Sequence, residues 1–209
     1  MFRYSSLAWV LALSIILSSS SVQGSGVTGE WTFDIAAGPG FTIAPQKASD
    51  LYKHSFVVTG DLIYMLNKHV GLIPASFAFR KYDFNQDNAL VEETDLTQNV
   101  AGNPLTFPRE ASGWGLAYTP GLRIISGGER LIGFGQVGFG VYRYDEKLEV
   151  FNFGETKTST DFAMLLCGGI EKPLTERTAF IGQACYNLVA ASKENTSFLD
   201  VLGGLKYYF

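Results

Sequence analysis

Eight stretches of this chain alternate apolar and polar residues with a period of two, a pattern that dictates strands rather than helices. The last is the cleanest. Counting back by twos, Phe209, Tyr207, Leu205, Gly203, Val201 and Leu199 are apolar or glycine. The residues between them, Tyr208, Lys206, Gly204, Leu202 and Asp200, are mixed and carry both charges. A strand with one greasy face and one partly charged face suits a wall between lipid and a polar interior.

The other seven follow the same rule. From about Glu30 to Gly38, Trp31, Phe33, Ile35 and Ala37 share a face, with Thr32 and Asp34 opposite. From His54 to Leu66 the outward set is Phe56, Val58, Gly60, Leu62, Tyr64 and Leu66, with Ser55, Thr59 and Asp61 inward. From Val70 to Phe84, Ile73, Ala75, Phe77 and Phe79 oppose Ser76, Ala78 and Arg80. From Trp114 to Ser126, Trp114, Leu116, Tyr118, Pro120, Leu122 and Ile124 oppose Thr119 and Arg123. The glycine-rich stretch Leu131 to Tyr144 is ambiguous; the reading adopted turns Ile132, Phe134, Tyr142 and Tyr144 outward. From Ser159 to Glu171, Phe162, Met164, Leu166, Gly168 and Ile170 oppose Asp161, Cys167 and Glu171. From Thr178 to Val189, Phe180, Gly182, Ala184, Tyr186 and Leu188 oppose Gln183, Cys185 and Asn187.

The connections alternate in length. Short ones fall at Asn67-Lys68-His69, at Ser126 to Arg130 with Gly127-Gly128, and at Lys172 to Glu176 with Pro173. Longer ones fall at about 39–53, 85–111, 145–158 and 190–197. This is the rhythm of an up-and-down barrel with one rim of turns and one of loops. An even strand count places both termini on the short-turn rim.

Residues 1–24 read as a secretory signal peptide: Arg3, then the apolar stretch Leu7 to Leu17, then Val22-Gln23-Gly24 as a small-residue cleavage site. Such a stretch is too short to span a hydrocarbon core, which needs about 20 residues. Residues 25–209 are expected to form one domain. The chain holds 23 Gly, 16 Phe and 10 Tyr, with only 17% charged residues. With 46% apolar residues and no run of membrane-helix length beyond the leader, the grease is spread over the alternating segments. The net charge of −4 and the lack of a basic stripe argue against nucleic acid as a partner.

A soluble sandwich could use the same alternation turned inside out. Content decides between them. The mixed face carries Thr, small residues and a balanced set: Asp34, Asp61, Arg80, Arg123, Asp161, Glu171, Asp200 and Lys206. The apolar face is large, aromatic and nearly free of charge, whereas water-facing surfaces are rich in Lys and Glu. Trp31, Trp114, Tyr142, Tyr144, Tyr207 and Phe209 gather near strand ends, where an interfacial girdle would sit. In lipid an open sheet edge leaves backbone groups unpaired at several kcal/mol each, so the sheet must close. The expected fold is an all-β, eight-stranded antiparallel up-and-down transmembrane β-barrel.

With its leader, its eight segments and its ending Val201-Leu202-Gly203-Gly204-Leu205-Lys206-Tyr207-Tyr208-Phe209, the chain resembles the small eight-stranded outer-membrane barrels of Gram-negative bacteria, the OmpA-transmembrane-domain and OmpX-like group. The ending looks like the group's C-terminal recognition strand, with Tyr207 and Phe209 in the aromatic positions. The resemblance covers nearly all of 25–209 but is one of architecture, without a functional motif. It implies an outer-membrane location with both termini periplasmic. It also implies contact with outer-membrane lipid and lipopolysaccharide, and delivery to the assembly machinery through the strand ending at Phe209. Unlike full OmpA proteins, the chain is not expected to carry a peptidoglycan-binding domain after the barrel, so the resemblance does not imply cell-wall tethering.

Candidate chemistry is sparse. Gly133-Phe134-Gly135-Gln136-Val137-Gly138 matches a dinucleotide fingerprint, but that motif must open a helix, and here it lies in an alternating strand. His54 and His69 fall at opposite ends of one strand. Ser55 adjoins His54, but neighbouring strand residues face opposite ways, which breaks a His–Ser pair of the kind a lipid A-modifying hydrolase would need. Cys167 and Cys185 both face inward on consecutive strands. Either they form a cross-strand disulfide, which requires the hairpin centre at Thr175 to Arg177, or they are two small lumen-filling thiols. Two ligands do not make a metal site.

Arg80 and Arg123 are expected to pair with acids among Asp34, Asp61, Asp161, Asp200 and Glu171, plugging an interior just wide enough for side chains. No catalytic, cofactor or metal residue is assigned. The functional expectation is a monomeric, non-enzymatic envelope barrel meeting surface ligands through loops 85–111, rich in acids, and 145–158, where Leu148 to Phe153 would project as a ribbon. A narrow small-solute channel is the alternative, and a lipid A-modifying enzyme a more distant one.

Overall fold

The computed structural model describes residues 28–44, 52–84, 99–100, 103–104, 109–127, 131–150, 153–191 and 195–209. The expected leader, 1–24, lies outside them. The strands are β1 (Trp31–Ala44), β2 (Tyr52–Asn67), β3 (Val70–Phe84), β4 (Asn99–Val100), β5 (Asn103–Pro104), β6 (Arg109–Tyr118) and β7 (Gly121–Gly127), followed by β8 (Ile132–Val150), β9 (Phe153–Pro173), β10 (Thr178–Ala190) and β11 (Asn195–Tyr208). Strands β4 and β5 form a separate two-stranded hairpin. All others join one antiparallel sheet that closes when β1 pairs with β11, from Thr32↔Tyr208 to Ala44↔Ser197. Strands β6 and β7 form one stave interrupted at Thr119–Pro120, so the closed wall has eight staves.

The expected sidedness holds for most of the wall. Phe56, Phe162, Val201 and Leu205 are each at least half exposed, while Arg123 is wholly enclosed and Lys206 nearly so. Charges inside and aromatics outside is the arrangement of a lipid-facing barrel, and it rules out an apolar core inside a water-facing shell. The short rim is built from self-capped turns. Asn67 Oδ1 accepts from His69 N at 2.8 Å and Val70 N at 2.9 Å. Thr175 Oγ1 accepts from Thr178 N at 3.0 Å. Gly127, at φ 144°, occupies backbone space that side-chain-bearing residues avoid.

Facings differ from expectation in two places. Ile73 points inward, not outward, and Leu72 takes the exposed side. The cause is a β-bulge: Ile73 and Pro74 together oppose Ile63, because Leu62 pairs with Ala75 and Tyr64 with Leu72. Proline has no N–H to give the ladder, and the extra residue flips the phase.

Strand β8 is likewise reversed over much of its length. Ile132, Phe134 and Tyr142 are buried inside, and Tyr144 is half-buried against Tyr82. Phe139 and Val141 face outward. The reason lies in the glycines. A Cβ at Gly140 would run into the Tyr118 carbonyl oxygen, and one at Gly138 would sit 2.6 Å from that of Thr119. These positions let β8 and the β6–β7 stave approach closely, and they say nothing about which face meets lipid. Tyr142 therefore belongs to the lumen and not to the girdle. Trp31, Trp114, Tyr207 and Phe209 do face outward.

The long rim differs from simple loops. Strands β8 and β9 stay paired out to Val150↔Phe153, and β6 accompanies β8 to Arg109↔Val150. Strand β10 stops opposite Phe162. Of the ribbon expected at 148–153, Leu148 to Val150 and Phe153 are paired strand within a three-stranded extension beyond the closed wall, and 151–152 lie outside the described residues. Of the acids in loop 85–111, Asp87, Glu92, Glu93 and Asp95 lie outside the described residues.

Candidate functional site

Inward-facing alternation on eight staves delivers polar side chains to a shared interior, and the lumen is the most elaborated polar site in the described structure. Among the described residues it buries three cations, Arg80, Arg123 and Lys206, and four carboxylates, Asp34, Asp61, Glu171 and Asp200. Each cation has a partner.

Arg123, on β7, pairs with Asp34 on β1 and, at 3.1 Å, with Asp61 on β2. Its Nη2 and Nε also donate to Gln136 Oε1 on β8, at 2.7 and 3.1 Å. The guanidinium lies 4.4 Å from the Phe134 ring centroid. Arg80, on β3, donates from Nη2 to both oxygens of Asp200 on β11 at 2.7 Å, and from Nη1 to Ser55 Oγ at 2.7 Å. Asn187 Nδ2 donates to Asp200 at 2.7 Å, and Phe198 stacks on the guanidinium at 4.3 Å. Lys206 Nζ donates to Glu171 Oε2 at 2.8 Å, and Tyr208 donates to the same carboxylate. Asp161 stays apart from these clusters, accepting from Ser159 Oγ at 3.0 Å.

Buried charges are tolerated when paired and further hydrogen-bonded, and removing one partner strands the other. These clusters therefore act as braces across the barrel. Apolar groups fill the remaining space. Ile63, Met65, Ile73, Ile125, Ile132 and Phe134 pack toward the short-turn end. Tyr82, Tyr142 and Phe198 pack toward the other end, with the two tyrosine hydroxyls in contact.

Reasoning from sequence paired both arginines with acids from the correct set. It missed Gln136, Phe134 and Tyr142 as lumen groups because β8 was read facing the wrong way. The polar Gln136 was the signal that could have corrected it: a strand of the wall turns its amide to the lumen, and Phe134 and Tyr142, an even number of residues away, follow it inward.

The two cysteines are joined, Cys167 to Cys185. They are direct cross-strand partners, with the hairpin centred at Glu176 as the disulfide reading required. No catalytic pairing forms at His54. It is exposed against Phe41, while Ser55 is buried on the opposite face, donating to the Gly40 carbonyl at 3.1 Å beside a cation rather than a base. His69 sits in the far turn, its Nδ1 3.3 Å from the Ile125 carbonyl oxygen. The Gly133–Gly138 motif lies within β8 and opens no helix.

No protein-family model matches the chain, and no curated protein matches it in sequence. Solved structures do match its fold. Ail, the attachment invasion locus protein of Yersinia pestis, superposes with a TM-score of 0.56 at 16% identity, covering 88% of this chain and 100% of that one. Neisserial surface protein A (NspA) gives 0.53 at 9% identity over 88% and 99% of the two chains. The outer membrane protein OprG from Pseudomonas aeruginosa gives 0.51 at 14% identity over 90% and 99%. At these identities the likeness establishes the fold and nothing finer.

Proposed function

For a chain with the fold of the small eight-stranded outer-membrane β-barrels, we propose a non-enzymatic, monomeric integral protein of the Gram-negative outer membrane. In this reading the barrel is a rigid, non-conducting mount. Its long rim, with the β6–β8–β9 extension and the residues of loops 85–111 and 145–158, meets partners at the surface.

The single observation that carries the reading is the filled lumen. Three paired cations bridge it, and apolar side chains pack toward both ends. An eight-stranded interior has room for its own side chains and little else. This disfavours the narrow-channel alternative. The separation of His54 from Ser55 disfavours the lipid A-modifying one.

The outward apolar face fits lipid and the acyl chains of lipopolysaccharide. The start of β1 and the end of β11 share the short-turn rim, which suits periplasmic delivery to assembly machinery through the strand ending at Phe209. The test is single-channel recording on the refolded chain in planar bilayers. Silence is expected. Steady ionic conductance through the folded monomer, abolished on unfolding, would replace the mount with a channel.

A further inference from the structure

Four inward residues lie side by side round the lumen wall: Gln136 pairs with Cys167, Cys167 with Cys185, and Cys185 with Asp200. The disulfide is thus flanked on one side by the glutamine that holds Arg123 and on the other by the carboxylate that holds Arg80. Both cysteines are buried. The free space against them is a cavity of about 10 Å³, lined also by Asp61, Gln183 and Asn187, which is room for about one water molecule. Thiol–disulfide exchange needs a thiolate to reach a sulfur and pass through a mixed disulfide, so a second molecule must fit beside the bond. Among the described residues, that space admits nothing larger than water. From outside, the closed wall stands in the way.

The pairing itself needs no closed barrel. Cys167 and Cys185 are equidistant from Glu176, and the turn between them is held by its own Thr175. A lone β9–β10 hairpin in this register brings the sulfurs together. We propose that the Cys167–Cys185 bond is installed on this hairpin before the barrel closes, by a disulfide-bearing oxidant, and is then sealed by closure. In the first step one cysteine thiolate attacks the oxidant's disulfide and expels one of its thiols. In the second, the other cysteine thiolate attacks the mixed disulfide. The Cys167–Cys185 bond forms and the oxidant leaves as a dithiol, having taken up the two electrons. This ordering goes beyond the proposed mount function and requires only a filled, closed lumen.

The test uses the mature chain with its disulfide formed, folded in detergent micelles or unfolded in urea, and challenged with excess dithiothreitol. Freed thiols are counted with a maleimide mass tag after quenching, on gels that separate folded from heat-unfolded protein. Reduction of the folded form should be slower by roughly 100-fold or more, because attack must wait for local opening. The reverse arm refolds the reduced chain and offers oxidised glutathione. The folded form should keep its thiols while the unfolded form oxidises. Should the reduced chain fail to fold, the first arm decides alone. Equal rates for folded and unfolded protein in the first arm overturn the proposal.

Discussion

Arg80 Nη2 and both carboxylate oxygens of Asp200 lie 2.7 Å apart although the residues are separated by 120 positions and sit on strands β3 and β11, which are not neighbours in the wall. The link crosses the lumen. It works as a strut, tying staves that backbone hydrogen bonds join only through intermediates. Arg123 does the same from β7 to β1 and β2.

Replacing Arg80 by Met should therefore destabilise the barrel by about 3–5 kcal/mol, since Asp200 would remain buried with Asn187 as its chief donor. Adding Asp200→Asn should recover a substantial part of the loss. Urea unfolding in lipid vesicles, arranged as a double-mutant cycle, measures the coupling. Independent, additive effects would mean the strut carries little.

The facing of β8 can be read with lipid. In a Trp31→Phe, Trp114→Phe background, Phe139→Trp should be quenched by brominated acyl chains and Phe134→Trp should be shielded. The opposite pattern would restore the facing first expected for Phe134.

Two glycine substitutions should part company. Gly140→Ala forces a methyl into the Tyr118 carbonyl and should lower the folded fraction on heat-modifiability gels. Gly168→Ala, with nothing within 4 Å of the added carbon, should be neutral or stabilise by up to about 1 kcal/mol through the unfolded chain. Equal tolerance at both sites would contradict the close approach of β8 to β6.

On the outer face, Val201→Arg places a charge midway along the apolar side of β11 and should cost about 2–4 kcal/mol in a bilayer. The readout is the urea midpoint in vesicles. No loss would imply that Val201 faces water.

Strand number, closure and most facings were legible in the chain because alternation is a local property: one period of two, read within ten residues, separates a lipid face from a lumen face. Where glycine or proline interrupts that signal it fails. Strand β8 was misread because glycine has no side chain to declare a face, and Ile73 because a bulge at Pro74 shifts the count by one. The individual ion pairs could not be read locally at all. Charge content showed that Arg80 and Arg123 needed acids. Which acid each received depended on the stagger at which β1 met β11, a relation between segments far apart in sequence that only the closed cylinder sets.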